Sequence, residues 1–345
     1  VANPKLTALV AASDGFLTDP YALEYAIIDR TGSAPSTEVA RTAVDLVADR
    51  LGVRRFALDW TVPAAAAVGR WQIQWWVQLS SGGAWGTWRD DFEVLDQVEW
   101  TGRPYESAYA LVADLRDEGL STSYISDARA QQVLARAAAL IEQATGRIFY
   151  PLYRAASHDG RRQSALFFDD AIVALESVTV LGSLTAPDPI GPDALKVYNR
   201  HLSQGVLVPD DRDHPKVEFA AYDAPESTLR SLIYRSRFPE GAQNVHVRGV
   251  FGYREPNGSP RGGVPILVRQ CALLLAYRDM FSLVDSDKRE DVRRRWQIQS
   301  ERTRDQSYTL ATDSRNAAMV GTITGDPEVD LILSRYRRPP RIGTA

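Results

Sequence analysis

Apolar and polar residues alternate with a period of two through the first hundred positions of the chain. Two runs each place their apolar residues on one face of a strand, namely Phe56, Leu58, Trp60 and Val62, and then Trp71, Ile73, Trp75, Val77 and Leu79. Turn-forming stretches lie at residues 31–36, 62–69 and 80–83. This spacing predicts half-buried strands of a small β-sandwich.

The distribution of tryptophan favours a separate N-terminal domain, which we place at residues 1–97. Seven of the eight tryptophans lie at or before Trp100. The stretch GRWQIQWWVQLSSGGAWGTWRDDFEVLD, residues 69–96, resembles the late strands of an immunoglobulin-like domain of the kind appended to virion and cell-surface proteins. The chain has one cysteine, Cys271, so no cysteine pair supports an antibody-type core.

A helical period appears after residue 98, in a region that we interpret as a second domain at 98–306. Its first helix is predicted at about 126–146, with Ser126 as the N-cap and Gly146 as the stop signal. Its second is predicted at about 265–304, beginning at Pro265, nearly apolar all round and interrupted by Arg269. Residues 150–252 between them read as short strands and turns, a β-rich insertion.

The last segment, residues 307–345, is predicted to be an extended arm that carries a short helix at 327–337. Asp326 is the N-cap candidate, Pro327 suits the first helical position, and Glu328 is favourable in the first turn. The apolar residues follow the i, i+3, i+4, i+7 pattern of one helix face, at Val329, Ile332, Leu333 and Tyr336. A helix of about three turns is not stable alone in water, so this one must dock on something.

Composition narrows the class of protein. The 345 residues are 44% hydrophobic and 24% charged with a net charge of -4, which is typical of a globular protein and argues against a protein coated in nucleic acid. No apolar run approaches the ~18 residues of a membrane span, and no signal peptide is visible. We expect that the protein does not associate with a membrane. We also expect that it is made in the host cytoplasm.

Catalytic and cofactor motifs are missing from the sequence. The four histidines, His158, His201, His214 and His246, lack the spacing of metal ligands. The acidic turn at 209–215 lacks the pattern of a calcium loop, and the glycine-rich turn at 257–263 lacks that of a phosphate loop. The acids Asp90 with Asp91, and Asp169 with Asp170, are adjacent, so on a strand they point to opposite faces. We predict no enzyme activity, no cofactor and no metal.

Four stretches, in this order, resemble the head-tail connector proteins of tailed bacteriophages, also called adaptor or head-completion proteins, including relatives in gene transfer agents. The stretches are AAALIEQATGRIF, DGRRQSALFFDDAIVALESVTVLG, NVHVRGVFGY leading into VPILVRQCALLLAYR, and PEVDLILSRYR. The resemblance covers about 220 residues from Tyr124 onward. The N-terminal domain lies outside it.

The resemblance implies a fold and a role. The implied fold is α+β and multi-domain: an immunoglobulin-like β-sandwich, then a helical-bundle connector domain with a β-rich insertion, then the extended C-terminal arm. Such proteins form a ring, usually of twelve, beneath the portal at the capsid vertex, where the ring extends the DNA channel without reading its sequence. The implied partners are the portal protein, the next connector (stopper) or tail-terminator protein, and further copies of the chain. Capsid protein is a further candidate partner for the N-terminal domain.

The C-terminal segment is the predicted portal-docking site. Besides its four apolar residues, it carries four arginines after Asp330 and no acid after them: Arg335, Arg337, Arg338 and Arg341. Arginine there pairs with carboxylates of a protein partner or with DNA phosphates, and we favour the protein. We expect that deletion of residues 326–345 leaves the fold intact and abolishes docking.

Two other functions remain open at this point. One is a tail or baseplate binding module whose tryptophan-rich sandwich recognises a glycan or host surface through Trp76, Trp85 and Trp88; these tryptophans could equally pack against a neighbouring domain or subunit. The other is a cell-wall hydrolase, for which no catalytic pair is evident. The connector hypothesis remains our first, with the protein placed in the virion neck.

Overall fold

The computed structural model divides the chain into two compact units. Unit 1 comprises residues 1–66, 71–92 and 148–264, and unit 2 comprises residues 67–70, 93–147 and 265–345. The structure describes residues 6–11, 15–52, 54–58, 60–63, 65–95, 108–181, 187–191, 194–199, 212–219, 237–281, 302–303, 306–307, 324 and 326–338.

Antiparallel strands make up most of the regular structure in these residues. Their bounds are β1 Leu6–Leu9, β2 Ala22–Asp29, β3 Ser36–Ala43, β4 Arg50–Gly52, β5 Arg55–Leu58, β6 Gly69–Gln78, β7 Trp85–Val94, β8 Leu152–Gly160, β9 Ala165–Phe167, β10 Ile172–Leu181, β11 Pro187–Ile190, β12 Leu195–Val197, β13 Lys216–Phe219, β14 Gly241–Phe251, β15 Arg302–Thr303 and β16 Gln306–Ser307. The described helices are α1 Val112–Asp117, α2 Asp127–Thr145, α3 Ile266–Phe281 and α4 Pro327–Tyr336.

The prediction of a helical-bundle connector domain is wrong. Between α2 and α3 the chain alternates buried and exposed residues with a period of two: in β14, Val245 and Val247 are buried whereas His246 and Arg248 are exposed. That pattern builds a half-buried antiparallel sheet. The described residues therefore form a mostly β protein in which four short helices accompany the sheets.

The N-terminal strands of unit 1 form two sheets. One has the order β1-β5-β4 and the other β3-β2-β6-β7. Along β6 the odd positions Trp71, Ile73 and Trp75 are buried, and Gln72 and Gln74 between them are half-exposed. The inner face of the four-stranded sheet is thus aromatic and aliphatic, and the outer face is largely polar. Nothing in this arrangement identifies an immunoglobulin-type sandwich.

The rest of unit 1 is built on the sheet β11-β10-β14-β8 and the small sheet β12-β13-β9. Its main hydrophobic cluster lies between these sheets and includes Val178, Val217 and Val247. A second cluster joins Leu9 and Leu17 to Val173, Ala174 and Val250. The N-terminal segment thus shares a core with residues 148–264, whereas we predicted a separate domain that ends at residue 97.

The core of unit 2 is made by its helices. α2 packs on α3, α4 packs on both, and α1 packs on α2. The predicted helix at about 126–146 lies at Asp127–Thr145, where the Ser126 hydroxyl accepts a hydrogen bond from the Arg129 N–H and Gly146 takes a left-handed φ of 67°. The second predicted helix is described as far as Phe281, and its continuation at 282–301 lies outside the described residues.

Candidate partner-binding surfaces

The predicted apolar docking face of the C-terminal helix is buried inside the protein's own unit 2. α4 packs on α3 and α2. Its side chains Val329, Ile332, Leu333 and Tyr336 are 0%, 9%, 1% and 9% exposed. In this conformation these four residues therefore hold the helix on its own chain and cannot contact a partner.

Hydrogen bonds fix the start of α4. The Asp326 carboxylate accepts from the backbone N–H of Glu328 at 2.9 Å and of Val329 at 3.3 Å, as an N-cap does. The buried carboxylate of Asp330 accepts from the backbone N–H of Thr324 at 2.9 Å and from its hydroxyl at 2.7 Å. The Arg278 guanidinium of α3 donates to the carbonyl oxygen of Thr324. The first turn of α4 is thus tied to α3 by polar as well as apolar contacts.

The arginines that follow Asp330 are placed differently from one another. Arg335 and Arg337 are exposed, whereas Arg338 is half-buried and its backbone N–H donates to the carbonyl oxygen of Thr145 at 2.8 Å. Arg341 lies outside the described residues. Of the four predicted docking arginines, Arg335 and Arg337 present their side chains at the surface of the described part.

Among the described residues of unit 2, three large apolar side chains are exposed, and two of them, Ile266 and Leu331, belong to the packed helices, whereas Val68 is outside them. Ile266 at the start of α3 is 76% exposed and Leu331 on the outer side of α4 is 57% exposed. The two helices run antiparallel, since Arg278 contacts Thr324 while Gln270, two turns earlier, lies 3.4 Å from the Glu328 carboxylate. Ile266 lies one turn before Gln270 on α3, and Leu331 lies one turn after Glu328 on α4. Each is therefore on the same side of its helix as that residue.

Ile266 and Leu331 consequently lie at the same end of the α3–α4 pair. We call them, with the exposed Arg335 one turn beyond Leu331, the Ile266–Leu331 patch. The apolar period of α4 predicts its inner face and does not predict this patch. Its only sequence signal is the apolar Leu331 between the core positions Val329 and Ile332.

A buried carboxylate organises the other side of α3. Asp114 is 4% exposed and accepts a hydrogen bond at 3.0 Å from Nε of Arg269, with a second from the same guanidinium. It also accepts from Arg70 at 2.7 Å and from the backbone N–H of Leu111 at 2.8 Å. Arg269, which interrupts the apolar run of α3, therefore neutralises a buried acid. No sequence pattern linked these residues, which are more than a hundred positions apart.

The single cysteine lies between α3 and α4. Cys271 is fully buried, and this burial raises the pKa of its thiol to about 12, with the nearby negative charges of Asp326 and Glu328 acting in the same direction. The thiol is protonated at neutral pH and is a packing group, not a nucleophile. Burial likewise raises the pKa of Tyr277, whose hydroxyl donates to the carbonyl oxygen of Leu115 at 3.3 Å.

The tryptophans proposed as a binding platform are not equivalent. Trp88 is 5% exposed, stacks on Trp75 on the inner face of its sheet and donates to Asp90 at 3.1 Å. Trp76 is half-exposed and Trp85 is 38% exposed. The Arg41 guanidinium carbon lies 4.8 Å from the ring centroid of each of these two. Trp76 and Trp85 therefore remain candidates for binding, and Trp88 belongs to the core.

The other groups considered from the sequence form no metal site where the structure describes them; His201 and the acids Asp210 and Asp211 lie outside the described residues. Burial lowers the pKa of His158, which packs edge-on against Phe168. Asp91 accepts from Gln72 at 2.9 Å and Asp170 from Arg154 at 2.8 Å. Among the described residues no group of three or more His, Cys, Asp or Glu side chains is placed to hold a metal ion, and no described helix has the length and apolar character needed to span a membrane.

No protein-family model matches the chain, and no curated protein matches it. Among solved structures, a chain from the "Neck of empty GTA particle computed with C6 symmetry" matches with 13% identity and a TM-score of 0.38, covering 72% of this chain and 98% of that one. A likeness of this size does not establish a shared fold.

Proposed function

We propose that the protein is a structural component of a virion neck, an adaptor that forms a ring beneath the portal and joins the DNA-filled capsid to the tail. The proposal starts from the ordered stretches that resemble head-tail connectors. The observation that carries it is the Ile266–Leu331 patch, in which two exposed apolar side chains and an exposed arginine are held on a fixed pair of helices. Apolar side chains with arginine at their margin are typical of protein interfaces.

The portal is the partner that we assign to this patch. Four buried residues fix α4 on its own unit: Val329, Ile332, Leu333 and Tyr336. We therefore propose that the outward side of the same helix contacts the portal. Leu331 and Ile266 supply apolar contact area, and Arg335 and Arg337 supply guanidiniums that pair with carboxylates. Copies of the chain, the next connector or tail terminator, and DNA in the channel remain further proposed partners, and the ring number of twelve remains a prediction.

We propose no catalytic activity for the protein. Cys271 is buried and protonated, and the acids Asp90, Asp91 and Asp170 are engaged with Trp88, Gln72 and Arg154. The role that we propose is mechanical: a rigid subunit that presents a binding surface at a fixed position.

A reconstruction of particles from the cells that produce this protein tests the proposal. We expect the chain as a ring with cyclic symmetry at one capsid vertex, in contact with the portal. Density for the protein only on the capsid shell or at the distal end of the tail would overturn the adaptor assignment and favour the binding-module alternative.

A further inference from the structure

The outer face of the sheet β3-β2-β6-β7 has the composition of a ligand-binding surface. In the register of β2 with β6, Ala22, Glu24, Ala26 and Ile28 are opposite Gln78, Trp76, Gln74 and Gln72, so these side chains share one face. Trp85 belongs to the same face, because Arg41 contacts both indoles. The opposite face carries the core residues Trp71, Ile73 and Trp75.

The centre of this face is held rigidly. The Arg41 side chain extends from the edge strand β3, forms a salt bridge with Glu24 on β2, and lies over the rings of Trp76 on β6 and Trp85 on β7. Four strands thus contribute to one cluster of two indoles, a guanidinium and a carboxylate. Because the cluster is ordered before any ligand arrives, binding would cost little side-chain entropy.

The chemistry of the face favours a hydroxyl-rich, uncharged ligand. The charges on this face balance: Glu24 pairs with Arg41, and β7 carries one arginine and one acid, Arg89 and Asp91. A nucleic acid would require excess positive charge.

Three glutamines, Gln72, Gln74 and Gln78, provide planar amides that both donate and accept hydrogen bonds. Gln72 already donates to Asp91 and Gln78 to the carbonyl oxygen of Gly83, so Gln74 and the second amide N–H of Gln78 are the groups best placed for a ligand. On β2 and β6, one large aliphatic side chain, Ile28, faces outward. Apart from the two indoles, the face therefore has little of the aliphatic area that fills the centre of many protein interfaces.

The shape of the face favours an extended ligand. Sites for small molecules are concave and enclose most of the ligand, whereas Trp85 and the side chain of Arg41, 38% and 44% exposed, lie on an open sheet. A carbohydrate chain that crosses several strands makes contact area that a single sugar ring could not make. Indole rings offer flat apolar surfaces for the C–H faces of sugar rings, and the neighbouring amides suit their hydroxyls.

We propose that this face binds an extended, neutral carbohydrate chain, with Trp76 and Trp85 as the stacking rings and Gln74 and Gln78 as hydrogen-bonding groups. This site is independent of the proposed neck function, because it uses residues of unit 1 that the Ile266–Leu331 patch does not include. A protein with both surfaces would join a particle through one and contact a glycan through the other.

Titration calorimetry of the full chain with chitohexaose and with cellohexaose, two neutral β-1,4-linked chains, tests the proposal. We expect binding of at least one, weakened about tenfold by Trp85→Ala, as the loss of one stacking ring predicts. Thr87→Glu, an exposed position two residues from Trp85 on the same face, blocks the site while both indoles remain and is expected to weaken binding similarly. Phe167→Ala, at another exposed aromatic residue of unit 1, leaves binding unchanged.

Several results would overturn the proposal. They are the absence of binding to both hexasaccharides, unchanged affinity in Thr87→Glu, and an equal loss in Phe167→Ala. A protein partner captured through Trp85 in place of either saccharide would also overturn it, since the face would then be a protein interface. Circular dichroism of each variant separates loss of the site from loss of the fold.

Discussion

The backbone N–H of Arg338 donates a 2.8 Å hydrogen bond to the carbonyl oxygen of Thr145, the last residue of α2. Arg338, the second residue after the C-terminal helix, thus satisfies a carbonyl that the end of α2 would otherwise leave unpaired. Gly146, which follows Thr145, has a left-handed φ of 67°, a conformation that residues with a side chain rarely adopt. The two helix ends therefore close against each other.

The buried face of α4 makes the helix a stability element. Leu333 is 1% exposed and Leu331 is 57% exposed on the same helix, which provides a matched pair. We expect Leu333→Ala to lower the free energy of unfolding by about 2–5 kcal/mol, because it leaves a cavity between α4 and its neighbours. Leu331→Ala is expected to change it by less than about 0.5 kcal/mol. Urea unfolding followed by circular dichroism measures both.

The burial of α4 reverses the expectation that the fold survives loss of the C-terminal segment. Deletion of residues 326–345 removes four buried apolar side chains and the cap on Thr145, so we now expect it to destabilise unit 2, with a lower midpoint of thermal unfolding. A truncated protein that melts like the full chain would show that the packing of α4 contributes nothing to stability.

Local features were predictable where the sequence carries a local signal. The cap residues Ser126, Gly146 and Asp326 all have the roles that their positions predicted, because capping depends on neighbouring residues alone. The alternation in β6 likewise gave the correct buried face. These signals predicted helix ends and strand faces without showing how the elements pack.

Tertiary features were not predictable in this way. An amphipathic period shows that α4 must bury one face but does not show whether its own chain or a partner covers that face. The pairing of Arg269 with Asp114 spans 155 positions and has no local signature. The helical-bundle fold was predicted from a resemblance. The alternating strands within residues 148–264 show that this prediction is wrong.

The Asp114 cluster gives a second stability test. We expect Asp114→Ala to lower the free energy of unfolding by about 3 kcal/mol, since it leaves the guanidiniums of Arg70 and Arg269 without their buried partner. The control is Asp117→Ala, because Asp117 also pairs with Arg70 but its side chain is 70% exposed, and its loss is expected to cost less than about 1 kcal/mol. Equal effects of the two substitutions would contradict the assignment of Asp114 as the organising acid.

The raised pKa of Cys271 predicts its reactivity. The pKa of this thiol is raised from 9.0 to about 12, so the thiol is protonated below pH 9, where an ordinary thiol already begins to ionise. Because the thiolate is the reactive form, a raised pKa lowers reactivity. At pH 8 we expect the folded protein to react with a disulfide reagent much more slowly than the same protein in urea. Rapid reaction of the folded chain would show that the α3–α4 contact opens readily.

The incorporation of surface variants into particles tests the central claim, that the Ile266–Leu331 patch attaches the protein to the neck. The double variant Ile266→Asp with Leu331→Asp changes two exposed residues, so it should melt like the unmodified protein. The control is the double variant Leu79→Asp with Phe167→Asp, which introduces the same two charges at positions 50% and 56% exposed in unit 1. We predict that purified particles contain the control at the normal level and lack the variant changed at Ile266 and Leu331. Normal incorporation of that variant in folded form would contradict the account.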